Sequence, residues 1–290
     1  MLIWATVNSD MKFKEHKAWF KEKVRGGYSE REIMQLYRRI VNHFLGIDRV
    51  QLKLMEEELF PTKSKEEFNS AILELNQGKP IDYILGETLF FGYPFKIDDS
   101  VLIPRPETEE LVLMIIEREK ESALDILDIG TGSGCIPIAL AMEKNLHQIS
   151  ACEISMEALQ NAKQNAKNLN ADVELFQMDI LTEIPKRKFD IVVSNPPYVK
   201  RDELNELQKS VVEYEPLIAL SPDGDPLIFY KRMVNIAPKI LNSGGRFYWE
   251  IHEDMGAEIL ELLNGPNFIN VELKQDFYGR DRFIRAIYKQ

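Results

Sequence analysis

Residues 190–198 read DIVVSNPPY. Asp190 to Ser194 form a short run, apolar in the middle and bounded by turn formers, which is the pattern of a buried β-strand. Pro196 and Pro197 then end it, because neither donates a backbone N–H and a sheet ladder does not continue through two successive prolines. The strand end presents the Asn195 side-chain amide, two free carbonyls and the Tyr198 ring. In an open α/β sheet, ligands bind at the carboxyl ends of strands. Asn195 carries both an acceptor and donors, and Tyr198 carries a flat apolar face. Together they suit a planar group bearing an NH2, such as an amide or the exocyclic amine of a base. An ordinary Asn-Pro turn with a packing tyrosine is the plainer alternative. The full tetrapeptide directly after a buried strand favours the binding tip.

Around this stretch, strand and helix patterns alternate from Leu124 onward, the signature of an α/β fold with a mainly parallel sheet. Seven strands are predicted, at 124–129, 148–153, 172–176, 189–194, 245–251, 268–273 and 283–288. Helices are predicted at 134–143, 155–169, 226–241 and 254–263. The last two strands have no helix between them and form an antiparallel hairpin.

The first predicted strand runs into Asp128-Ile129-Gly130-Thr131-Gly132-Ser133-Gly134. Its glycines permit a tight turn and let backbone approach a ligand closely. The spacing is GxGxG, not the GxGxxG of dinucleotide binders. Asp128 would repel a pyrophosphate, but it suits a ligand carrying an ammonium and a sulfonium. Glu153 ends the second strand, placed to accept from two ribose hydroxyls. Asp179, after the third, lies where an adenine amine is read, with Ile180 beside it to pack the ring. A glycine loop alone is weak evidence; the loop, Glu153 and Asp179 on three successive strand ends are much stronger.

Upstream, residues 10–77 read as helices. Ser29-Glu30-Arg31-Glu32 and Ser64-Lys65-Glu66-Glu67 both fit a capping box, and a basic helix near Lys12–Arg25 precedes them. The domains expected are a helical bundle at 1–80, a β-hairpin linker at 81–104 (Thr88–Phe91 and Tyr93–Ile97 around Gly92), and the α/β domain at 105–290, opened by a helix from Glu107 to Glu121. Charge follows the same division. Residues 1–80 hold 14 Lys and Arg against 12 Asp and Glu, and the remainder holds 22 against 35, within a net charge of −11. So acidic a body binds nucleic acid poorly without specific contacts, since phosphate neutralisation supplies most of such affinity. A mildly basic appendage on it reads as a docking arm. Two cysteines without a Cys/His cluster argue for a reducing compartment and against a structural metal. No apolar run reaches the length of a membrane span and the first ten residues lack a basic n-region, so a cytoplasmic protein is expected.

The glycine loop resembles motif I of the class I S-adenosylmethionine-dependent methyltransferases, and Asn195–Tyr198 resembles their amino-methylating (N/D)PPY motif. More narrowly, IPRPETEELV at 103–112, the SNPPYV tip, EPLIAL at 215–220 and DFYGRDR at 276–282 resemble the peptide chain release factor N5-glutamine methyltransferases. The similarity runs over residues 79–290, and the helical bundle matches that family in size and type. Residues 1–10, MLIWATVNSD, fall outside it.

The resemblance implies a seven-stranded class I methyltransferase sheet and methylation of the glutamine in the Gly-Gly-Gln loop of class I release factors, with S-adenosylmethionine as cofactor. It implies that Asp128, Gly130, Thr131, Gly132, Ser133, Gly134, Glu153, Asp179 and Ile180 hold the cofactor, with Asn195 shared between cofactor and substrate. In Asn195, Pro196, Pro197 and Tyr198, the Asn195 oxygen and the Pro196 carbonyl accept from the substrate NH2, and Tyr198 packs on the amide plane. Leu102 and Ile103 form the opposite wall; Arg105, Glu107, Thr108 and Glu87 carry no derived role. A monomer acting on protein, with no direct nucleic acid contact, follows. The alternative is an amino-methyltransferase acting on adenine or cytosine of nucleic acid. Only about 30 residues separate Tyr198 from the next predicted helix, too few for a target-reading insert.

Overall fold

The computed structural model describes residues 11–120, 123–143 and 148–289; residues 1–10, outside the resemblance, also lie outside the described residues. The chain divides into two compact units between Gly86 and Glu87.

The first unit is helical: α1 (Phe13–Lys23), α2 (Glu30–Leu45), α3 (Arg49–Leu54), α4 (Lys65–Asn76) and α5 (Ile81–Leu85). Phe20, Tyr37, Ile40, Phe68, Ile72 and Leu75 are buried in one core. The Ser29 capping box forms as expected: Glu32 N–H donates to Ser29 Oγ at 3.3 Å and Ser29 N–H to Glu32 Oε2 at 2.7 Å. Ser64 does not cap α4. It closes a 3₁₀ turn at Thr62–Ser64, so its backbone (φ −103°, ψ 12°) lacks the extended geometry a capping side chain needs. Lys12, at the N-cap of α1, and Lys14 within it pair with Glu57, and Lys17 pairs with Glu56.

The second unit opens with the hairpin β1 (Glu87–Phe90) and β2 (Tyr93–Lys96), so 81–86, expected in the linker, is helix α5 and its cap. Glu87 accepts from Lys96 Nζ at 2.6 Å, which makes it a hairpin anchor. Helix α6 (Pro106–Arg118) follows, with Pro at the first helical position, where its missing N–H costs nothing.

Seven strands make the sheet: β3 (Asp125–Ile129), β4 (Gln148–Glu153), β5 (Glu174–Gln177), β6 (Phe189–Ser194), β7 (Leu241–Glu250), β8 (Phe268–Gln275) and β9 (Asp281–Tyr288). Their order is β5-β4-β3-β6-β7-β9-β8. The first five are parallel, and β9 lies antiparallel between β7 and β8. Helices α7 (Cys135–Glu143), α8 (Met156–Leu169), α11 (Ile228–Ile240) and α12 (Gly256–Leu262) cover it. Alternation is strict in the central strands. Ile126, Ile191, Val193 and Tyr248 enter one apolar layer and Leu127, Val192, Phe247 and Trp249 the other, as a sheet buried on both faces requires.

Two differences from the expected elements matter. Strand β7 begins at Leu241, directly after α11; Gly244 at φ +82° and a shift in the β6 pairing between Phe189 and Ile191 let it turn from helix into strand. The stretch 199–225, where no strand or helix is predicted, contains a 3₁₀ turn at Glu203–Glu206 and two short helices, α9 (Lys209–Tyr214) and α10 (Leu217–Leu220). Helices of four to six residues carry too little periodicity to read from sequence.

Candidate active site

The chain passes from β3 outward to β4 and β5, then returns to pair β6 on the other side of β3. That reversal is the topological switch point where such sheets bind ligands. The register aligns the site. Cys152, Ile129, Ser194 and Trp249 share one rung, so Glu153, Gly130, Asn195 and Glu250 are the next residues along their strands, at the carboxyl edge. Ser194 Oγ locks the central pair by donating to the Ile129 carbonyl at 2.7 Å. A cavity of about 530 Å³ opens above this edge, bounded by Leu102, Arg105, Thr108, Glu153, Asp179 and Asn195 among others. That volume suits a nucleoside-sized ligand.

In the glycine loop, Gly130 and Thr131 N–H both donate to the Cys152 carbonyl, at 3.0 and 3.1 Å. Gly132 has φ +54° and open space where a Cβ would stand, whereas a Cβ on Gly134 (φ +80°) would come within 2.9 Å of Ile138 and 3.2 Å of Ala162. Gly132 therefore keeps the cavity floor low, and Gly134 lets the loop pack on α7 and α8. Glu153 is held by backbone: its Oε2 accepts from Gly132 N–H at 2.9 Å, and its Oε1 from Ile154 and Ser155 N–H at 2.9 and 3.1 Å. Asp179 caps its own turn, Oδ1 accepting from Leu181 N–H and Oδ2 from the Thr182 hydroxyl, both at 2.9 Å. Ile180 is buried beside it on the cavity wall.

Asp128 is fully buried behind this loop, and among the described residues neither of its oxygens, nor the Thr131 hydroxyl, has a hydrogen-bond partner. Burial pushes its carboxyl up to about 7, reinforced by the Glu153 charge. An unpaired buried acid beside a cavity fits a cationic ligand better than an anionic one. Cys135 and Cys152 also line the cavity; burial pushes both thiols up to about 12, so they contribute apolar surface and no nucleophile.

At the β6 tip, Asn195, Pro196 and Pro197 line the cavity, but Tyr198 does not. Its ring packs against the apolar layer of α11 and edge-on to His252, with centroids 5.9 Å apart, and its hydroxyl donates to Glu250 Oε1 at 3.2 Å. The Tyr198 hydroxyl is thereby anchored to a buried carboxylate, with the ring at the tip beside the residues that line the cavity.

PRPETE, at 104–109, and the Glu110 that follows it resolve into ties. Arg105 pairs with buried Glu215 at 2.6 Å, Thr108 Oγ1 donates to Glu250 Oε2 at 2.7 Å, Glu109 accepts from Phe91 N–H and Glu110 from Phe277 N–H. Glu215 opens EPLIAL, so the two quoted motifs meet in one ion pair. Glu250 had no signal in the sequence: it is one of 47 acids, and only the pairing of β6 with β7 brings it beside the tip.

Fold, switch-point cavity and strand-end carboxylates define a class I methyltransferase. Residues 108–243 match the family described as "Methyltransferase small domain" and residues 18–86 the "PrmC N-terminal domain". Relatives named release factor glutamine methyltransferase include that of Flavobacterium psychrophilum, 40% identical over 96% of this chain and 100% of the relative, and that of Bacillus subtilis, 37% identical over 88% and 90%. The chain belongs to the release factor glutamine methyltransferase family. A methyltransferase from Pyrococcus furiosus matches the fold with a TM-score of 0.51 at 21% identity, over 76% of this chain and 97% of that one.

Proposed function

We propose that this enzyme transfers the methyl group of S-adenosylmethionine to the side-chain amide nitrogen (N5) of the glutamine in the Gly-Gly-Gln loop of class I release factors. Membership of the family supports the reaction. One observation supports the site: Asn195 Nδ2 donates to Thr108 Oγ1 at 3.1 Å, which leaves the Asn195 oxygen as the acceptor for a substrate NH2. S-adenosylmethionine supplies an electrophilic methyl on a sulfonium. Asp128 and Glu153 suit its ammonium and ribose, and Ile180 and Asp179 its adenine. A carboxamide nitrogen is a poor nucleophile, its lone pair being delocalised. The Asn195 oxygen and Pro196 carbonyl hold that nitrogen by its two hydrogens, so catalysis is chiefly orientation and electrostatics. The nitrogen's surplus proton leaves to water, so no dedicated general base is assigned. The N-terminal helical unit serves to dock the protein substrate. In this reading the enzyme works as a monomer in the cytoplasm, without direct nucleic acid contact. Among the described residues no helix is long and apolar enough to cross a membrane.

The test combines purified enzyme, labelled S-adenosylmethionine and whole release factor, with the modified peptide located by mass. Methylation is expected at the glutamine, lost when that residue is Glu, and lowered in Asn195→Ala by the equivalent of ~2–4 kcal/mol in barrier with cofactor binding retained. Methyl transfer to DNA or RNA, with none to release factor, would favour the nucleic acid alternative.

A further inference from the structure

Glu250 is almost wholly buried at the end of β7, and its two carboxylate oxygens hold the NPPY tip, Tyr198 directly and Asn195 through Thr108. Oε1 accepts from the Tyr198 hydroxyl at 3.2 Å, and Oε2 accepts from Thr108 Oγ1 at 2.7 Å. Thr108 in turn lies 3.1 Å from Asn195 Nδ2. A hydroxyl has one proton. Thr108 commits that proton to the carboxylate, so toward Asn195 it can only accept. Asn195 must then turn its NH2 to Thr108, and its oxygen is left without a partner among the described residues. Were the carboxylate replaced by a group that donates to Thr108, the hydroxyl proton would be free to point at Asn195. The amide would then favour the opposite orientation, presenting NH2 where an acceptor is needed.

We propose that Glu250 is a positioning residue that, through the Thr108 hydroxyl, fixes which end of the Asn195 amide faces the substrate, and thereby selects substrates that donate an NH2. This rests on the reading that Asn195 accepts from the substrate. The groups facing Glu250 act on its charge in both directions. Arg282 on β9 and the Tyr198 hydroxyl favour its charge together with Thr108, Glu107 on α6 opposes it, Cys135 on α7 stands nearby as a neutral thiol, and the Tyr230 hydroxyl on α11 donates to its backbone carbonyl at 2.8 Å. Burial pushes the carboxyl up to about 7, so protonation below that pH reverses the same relay.

The experiment is a two-by-two set on the full-length enzyme: wild type, Glu250→Gln, Asn195→Asp and the double variant. Turnover on release factor, S-adenosylmethionine affinity and melting temperature are measured for each. Glu250→Gln should lower kcat roughly ten- to a hundredfold with cofactor affinity unchanged, and should remove the loss of kcat below pH 7. Asn195→Asp presents an acceptor at both ends but competes with Glu250 for the single Thr108 proton. Adding Glu250→Gln there, where the Gln NH2 donates to Thr108, should therefore raise turnover instead of lowering it, a reversal of sign that a purely structural role does not produce. Full kcat in Glu250→Gln, or a loss in both backgrounds, would overturn the proposal. Full turnover in Asn195→Ala would instead overturn the underlying reading of the tip.

Discussion

At the scale of the residue, the two carboxyls that burial raises to about 7, Asp128 and Glu250, set a pH dependence whose sign can be worked out. Unfolded, both release their protons near pH 4. Folded, they retain them up to about 7, so between those values the native state binds more protons than the unfolded chain. Stability of the cofactor-free protein therefore falls as pH rises through that window. Asp128→Asn should remove its share of that fall, on the order of 2–4 kcal/mol, which calorimetric melting at pH 5 and pH 8 checks. The same variant should weaken S-adenosylmethionine, and the wild-type affinity should rise between pH 6 and pH 8 as Asp128 ionises. A pH-independent affinity would remove Asp128 from the cationic end of the site. Glu153→Ala should cost ~1.5–3 kcal/mol of cofactor binding, the worth of hydrogen bonds to a charged group, and isothermal titration measures it directly.

At the scale of the element, helix α6 is tied to its surroundings one residue at a time. Thr108 reaches Glu250 on β7, Glu109 the turn of the hairpin, and Glu110 the β8–β9 turn. Ahead of the helix, Arg105 meets Glu215, whose side chain is 1% exposed, and Glu215 also accepts from Ile103 N–H at 3.4 Å. Removing one partner of a buried pair strands the other charge, which is worse than removing both. Arg105→Ala should therefore cost about 3 kcal/mol of stability. Arg105→Met combined with Glu215→Leu should recover most of it. Chemical denaturation of the wild type, Arg105→Met, Glu215→Leu and the double variant decides, and additive losses would show that the pair is not coupled.

At the scale of the molecule, every residue lining the cavity lies between Ser100 and Phe229, within the second unit. Deleting residues 1–86 should leave S-adenosylmethionine affinity intact and impair methylation of whole release factor, while a short Gly-Gly-Gln peptide should be a poor substrate for both forms. Equal rates of the truncated and full-length enzymes on whole factor would end the docking role assigned to the helical unit.

The sequence by itself determined the alternation of strand and helix from Leu124, the glycine loop, the strand-end acids Glu153 and Asp179, and the NPPY stop, because each depends on local periodicity or on backbone chemistry of adjacent residues. It also carried the Ser29 cap, whose two hydrogen bonds span three residues. It misjudged Ser64, whose backbone is set by the 3₁₀ turn before it, and it missed the short helices at 209–220. Only the tertiary structure decided the strand order that puts Asn195 beside Gly130 and Glu250, and the ties of Arg105 to Glu215 and Thr108 to Glu250, across 110 and 142 residues. It alone anchored the Tyr198 hydroxyl to Glu250. These contacts join groups far apart in the chain, and a buried carboxylate chooses its partners by the desolvation it must offset, a quantity that exists only once the sheet has closed around it.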